Sequence, residues 1–221
     1  MAQRWAELAC LLGAVVTLSA CSESTPAPSA GPMTAPVEET TPRNSEPATP
    51  SLAEVLEPRT RPRYVFPIQP AGVADYGATH HDYPATDIFA PEGSRFVAVT
   101  DGMVQEVSRR DRWDPSADDP ATRGGLYVSV IGDDGIRYYG AHLRGAAPGV
   151  RAGVAVDAGQ LLGWVGDSGN ARGISPHLHF GISRPTFPGD WEVRRGQLNP
   201  YPYLQAWARG QPRRPKLPAG S

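Results

Sequence analysis

Between Tyr64 and Ala208 the chain offers only short apolar runs, each closed by glycine, proline or a polar turn residue, and this punctuation decides what it can fold into. The runs are Asp87–Ala90, Arg95–Thr100, Met103–Val107, Leu126–Ile131, Ile136–Leu143, Gln160–Val165 and His177–Ile182. They have strand length, and helical periodicity is confined to Tyr203–Ala208. With 24 Gly and 24 Pro among 221 residues, turns are favoured throughout and helix is disfavoured. Asp101-Gly102 and Asp134-Gly135 read as hairpin-type turns. The spacing predicts an all-β domain of antiparallel sheet over residues 64–208, long enough to bury a core of its own. Arg109–Gly124 is polar and reads as a long loop with Trp113 as its single large apolar group.

The N-terminal part is not foldable in that sense. Arg4 precedes an apolar run, Leu8–Ala20, that is too short to span a bilayer but suits an export signal. It closes in Leu18-Ser19-Ala20-Cys21, which resembles a bacterial lipobox, so residues 1–20 are expected to be removed and Cys21 lipidated. Cys10 leaves with the signal, and no cysteine remains for a disulfide or a thiolate metal site. Residues 21–63, without an aromatic group after the lipid site and rich in Pro, Ser, Thr, Ala and Glu, read as a disordered tether. One capping-box turn is expected within it, at Ser51–Leu56. Residues 209–221 form a basic, Pro-rich tail expected to fray. A net charge of −2 gives no electrostatic case for nucleic acid as a partner.

Chemistry concentrates in five histidines at three places: His80-His81, His142, and His177 with His179. In a strand, His177 and His179 share one face while Leu178 and Phe180 point to the other. Two imidazoles so placed suit a metal with one ring, a metal ligand beside a catalytic base, or two half-buried rings bonded to backbone. His142 ends Tyr138-Tyr139-Gly140-Ala141-His142, whose alternation predicts Tyr138, Gly140 and His142 on one face. Asp87 follows His81 by six residues across a turn-forming segment that can bring a histidine and the carboxylate together. Two imidazoles and one carboxylate are a suitable set for a catalytic zinc that keeps one position for water.

The order His81…Asp87-Ile-Phe-Ala-Pro-Glu-Gly, Asp101-Gly102, Tyr139-Gly-Ala-His142-Leu143, Gly166-Asp-Ser-Gly-Asn170, His177-Leu-His179-Phe180 and Asn199-Pro200-Tyr201 resembles the lysostaphin/LytM-type zinc endopeptidases. The resemblance covers residues 64–204 and implies an antiparallel β domain of that type, with long loops around a zinc cleft. It implies zinc ligands at Asp87 and His179, with His81 as the third, and a catalytic pair at His142 and His177. The family spacing of four residues from His to Asp would fall on Tyr83, so the first ligand is His81 or His80; the shorter loop favours His81. Of His142 and His177, one takes a proton from metal-activated water and the other stabilises the oxyanion. Tyr83, Trp113 and Tyr138 are candidate groove-lining aromatics.

The implied substrate is a peptidoglycan peptide, cut in stem or cross-bridge. The implied protein is a monomer, anchored to the membrane through Cys21 and acting in the bacterial envelope. That is the outer membrane and periplasm in a two-membrane host, or the outer face of the cytoplasmic membrane otherwise. Two alternatives compete with this reading. Gly166-Asp167-Ser168-Gly169 resembles the nucleophile motif of trypsin-like serine proteases, but such a triad leaves His142, His177 and His179 unused. A catalytically inactive scaffold of the same fold, binding the wall or activating amidases, would instead lack metal.

Overall fold

A computed structural model of the chain describes residues 63–218. They belong to one compact unit, Leu52–Ser221; the other unit, Met1–Ser51, lies wholly outside the described residues. So do the export signal, Cys21, the Ser51–Leu56 turn and all of the tether but Arg63.

The short apolar runs become strands β1 (Ile68–Gln69), β2 (Asp75–Tyr76), β3 (Thr86–Phe89), β4 (Arg95–Val97), β5 (Gly102–Ser108) and β6 (Tyr127–Gly132). They continue as β7 (Arg137–Ala141), β8 (Leu143–Ala146), β9 (Ala155–Val156), β10 (Leu161–Val165) and β11 (His177–Ser183). Two short helices follow, α1 (Trp191–Arg194) and α2 (Tyr201–Ala208). All pairings are antiparallel, in a four-stranded sheet ordered β1-β4-β10-β8 and a seven-stranded sheet ordered β2-β3-β11-β7-β6-β5-β9. This is the antiparallel β architecture the sequence implies, and the helix at Tyr201–Ala208 contains the one periodic stretch.

The core lies where the two sheets meet. Leu178, Phe180 and Ile182 of β11 are fully buried, as are Ile88, Leu143 and Leu204; Phe96 and Leu162 are nearly so. Burying each such side chain contributes about 1.5–3 kcal/mol, which makes β11 an anchored strand before any polar group is considered. Gly140 on β7 lets the sheets approach: a Cβ there would lie 2.4 Å from the Phe96 ring and 2.9 Å from Leu178. Trp207 of α2 closes one end, stacked on Tyr64 at 5.8 Å between ring centroids.

Three local expectations are corrected. Asp134-Gly135 is indeed the β6–β7 hairpin, with Gly135 at φ 76°. Asp101-Gly102 is not a hairpin turn, because β4 and β5 belong to different sheets; Gly102 instead opens β5, and Asp101 Oδ1 accepts the Ala158 N–H at 2.7 Å. The alternation predicted for residues 138–142 breaks at its last residue. Tyr138 and Gly140 face the core, Tyr139 and Ala141 face the other way, and His142 joins the latter because its φ of 61° turns the chain between β7 and β8. The tail does not fray over 210–218: Trp207 Nε1 donates to Arg213 O at 2.9 Å, and Arg214 Nη2 to Asp134 O at 2.7 Å.

Candidate metal centre

The register of β11 builds the site. His179 stands directly opposite Asp87 on β3 and Ala141 on β7, so imidazole and carboxylate emerge side by side from the face away from the core. His179 Nδ1 lies 3.0 Å from Asp87 Oδ1. His80 arrives from the loop before β3, with its Nε2 3.6 Å from Asp87 Oδ2. Its ring is packed 5.0 Å from that of His179 and 4.4 Å from that of Tyr83. One donor atom from each of His80, Asp87 and His179 lies within 4.8 Å of the others.

Between the two candidates for first ligand, the structure brings His80 to Asp87 and His179, whereas His81 is exposed at the cleft rim, edge-on to His80. Loop length favours His81, but one fewer residue is worth only about 0.1 kcal/mol of closure entropy. Packing outweighs this. The His80 side chain is 6% exposed, and Asn199 Nδ2 pins the incoming loop through Ala78 O at 2.9 Å.

The donor set fits a metal on its own chemistry. His179 Nε2 lies 3.0 Å from Arg195 O, and a carbonyl can only accept, so this nitrogen carries a proton. The facing Nδ1 then meets a carboxylate oxygen. Two lone pairs repel unless the ring is charged or a cation sits between them, as in a coordination shell. His80 Nδ1 is buried with no hydrogen-bond partner among the described residues. Burial, and then the neighbouring His179, lowers the His80 pKa to about 4, keeping the ring neutral and its lone pair available at neutral pH. Burial works to raise Asp87, but the surrounding imidazoles, His179 first and then His80 and His177, hold it down at about 2, hence ionised. A neutral imidazole, a carboxylate and an imidazole oriented by a backbone carbonyl make a hard-to-intermediate set of the kind zinc takes.

Gly181 makes that orientation possible. A Cβ there would sit 2.4 Å from Arg195 O, so only glycine lets the 194–195 backbone close onto β11 and reach His179.

His142 and His177 occupy the same cleft, 4.9 Å apart between ring centroids. His142 Nδ1 donates to Ser168 O at 2.9 Å and His177 Nδ1 to Ser175 O at 2.8 Å. Both rings are thereby fixed in the tautomer whose Nε2 keeps a lone pair. Burial, then the nearby His179 and His177, push the His142 pKa down to about 3. Gly166–Asn170, the stretch resembling a serine-protease motif, serves as a turn: the Ser168 hydroxyl accepts the Leu126 N–H at 3.0 Å, and its carbonyl holds His142.

The cleft has a volume of about 360 Å³. Pro120, Ala121, Arg123 and Gly124 of the long loop form one wall, tied down where Arg123 O accepts from Asn170 N at 2.9 Å and Gly124 O from His142 N at 3.0 Å. Of the expected aromatics Tyr83 lines the cleft, but Tyr138 is a core residue whose hydroxyl donates to Asp134 at 2.7 Å, and Trp113 does not line it. Tyr139 lines it in place of Tyr138, because the kink at His142 changes which face belongs to the site. Sequence reasoning missed Trp191, Arg194 and Arg195. Their only signal is an aromatic and two cations soon after the HxH strand, at a cap formed by Asp190.

Residues 81–195 match the sequence pattern of peptidase family M23. The L-Ala–D-Glu endopeptidase of Bacillus subtilis (strain 168) is 32% identical over 132 residues, which is 58% of this chain and 36% of that protein. The chain therefore spans little more than a third of that relative's length. A solved structure of a putative glycyl-glycine endopeptidase LytM from Ruminococcus gnavus superposes with a TM-score of 0.51 at 26% identity, covering 68% of this chain and 62% of the other. The antimicrobial peptidase lysostaphin from Staphylococcus simulans shares the fold, with a TM-score of 0.50 at 24% identity over 67% of this chain and 56% of its own.

Proposed function

The chain belongs to peptidase family M23, and on that premise we propose that it is a zinc endopeptidase that hydrolyses peptide bonds of peptidoglycan. The observation that carries the zinc reading is the contact between His179 Nδ1 and Asp87 Oδ1 at 3.0 Å, with Nε2 already committed to Arg195 O. His80, Asp87 and His179 would hold the ion, which supplies a Lewis acid for the scissile carbonyl and acidifies water at neutral pH.

The remaining work falls to His142 and His177. With each Nδ1–H spent on a carbonyl, each Nε2 is free to take a proton from the attacking water or, once protonated, to donate to the oxyanion. Hydrolysis balances when the proton taken from water passes to the leaving nitrogen as the C–N bond breaks. The resemblance to an L-Ala–D-Glu endopeptidase supports a wall peptide as substrate. Lipidation of Cys21 and a tether over residues 21–63 would place domain 64–208 in the envelope, at the membrane and within reach of the wall.

The test is digestion of purified peptidoglycan by the intact protein, with and without chelator. Release of new amino termini that the chelator stops and zinc restores is the expected result. Metal-free protein that binds peptidoglycan without cutting it would establish the scaffold alternative.

A further inference from the structure

Three arginines line the cleft, and they are not equivalent. Arg194 is buried and paired with Glu106, Nη1 to Oε2 at 2.6 Å. Arg123 donates through Nε and Nη2 to Asp118 Oδ1 at 3.0 and 2.8 Å. Arg195 has no carboxylate partner, and its guanidinium makes no hydrogen bond among the described residues. Instead it is held by stacking, with Cζ 4.1 Å from the centroid of the Tyr83 ring and 5.3 Å from that of Trp191. Asp82, the one cleft-lining carboxylate outside the metal centre, forms no ion pair with it.

A guanidinium normally finds an oxygen acid, and its fork of N–H donors matches a carboxylate in two parallel bonds. Here two aromatic rings fix its plane and limit its rotamer freedom, while the donors stay unspent inside a substrate cleft. The position is next to the chemistry: Tyr83, on which Arg195 stacks, lies 4.4 Å from the His80 ring and 5.8 Å from that of His179. The backbone of the same residue orients His179 through its carbonyl. A preorganised, half-buried cation costs little further ordering when an anion arrives.

We propose that Arg195 reads a carboxylate carried beside the scissile bond, so that the cleft selects acidic peptides over uncharged ones. This rests on the endopeptidase reading above and deepens it. The two kinds of relative differ on this point, since one acts at L-Ala–D-Glu and another is named for glycyl-glycine bonds. The unpaired Arg195 places this chain with the first.

The experiment compares two peptides that differ in one group, an L-Ala–D-Glu peptide with the carboxylate next to the cleaved bond left free or converted to a carboxamide. The intact zinc-loaded protein is expected to favour the free acid by about ten- to a hundredfold in kcat/KM, the range of one charge-assisted pair. Arg195→Gln should bring that ratio close to one, and Arg195→Lys should recover part of it. Zinc content should be unchanged in both, because the carbonyl that holds His179 belongs to the backbone. A ratio that survives Arg195→Gln, with both rates lowered alike, would overturn the proposal. If neither peptide is cut, the endopeptidase reading fails, and the affinities of the same two peptides decide this one. Preference for the acid that vanishes in Arg195→Gln sustains it, and equal affinities end it.

Discussion

The two faces of β11 are held by different physics. On one, Leu178, Phe180 and Ile182 are fully buried between sheets, where position is set by volume and any apolar residue of similar shape would serve. On the other, His177, His179, Gly181 and Ser183 are also buried, but beside Asp87 and the backbone of residues 194–195. There the histidines are set by named partners, and several buried polar atoms have no hydrogen-bond partner among the described residues: His80 Nδ1, Glu106 Oε1, Arg194 Nε and Ser183 Oγ. Burial is therefore no guide to which face acts.

The largest effect should come from breaking the polar face at the proposed metal centre. His179→Ala is expected to empty the zinc site and abolish hydrolysis while the fold survives, as judged by metal analysis and circular dichroism. His177→Ala, two residues away on the same face, should keep its zinc and lose about 10²–10⁴ in kcat. If His177→Ala also emptied the site, the division of labour along β11 would be wrong.

On the core face, Phe180→Ala should cost about 3–5 kcal/mol in urea unfolding, with activity per folded molecule close to normal. Glu106→Gln tests whether the polar face also carries stability. It leaves the buried Arg194 without a counter-charge and should cost a similar amount, about 3–5 kcal/mol. A neutral result would show that water or another group already balances that cation. Gly181→Ala is the mildest and most local change. The added Cβ must displace Arg195 O, so zinc affinity should fall about 10–100-fold in a competition titration, with the core intact.

The same contrast explains what the sequence discloses. The core face is legible because alternation is a property of the strand itself: β11, β3 and the Asp134-Gly135 hairpin all fall where period and turn residues put them. On the polar face, the pairing of His179 with Asp87 followed from the family order of motifs, but the finer geometry did not. A φ of 61° at His142 has no local signature in a non-glycine residue, so Tyr138 and Tyr139 exchange roles. The choice between His80 and His81 turns on ring packing worth more than the closure entropy that sequence spacing reports. Arg195 becomes visible only when its two neighbouring arginines are seen to be paired.

The central claim is that His80, Asp87 and His179 form the metal centre while His81 stands outside it. Zinc analysis of His80→Ala and His81→Ala, purified side by side with the intact protein, tests this directly. The account predicts about one equivalent of zinc in the intact protein and in His81→Ala, and essentially none in His80→Ala. Zinc retained by His80→Ala and lost from His81→Ala would contradict it.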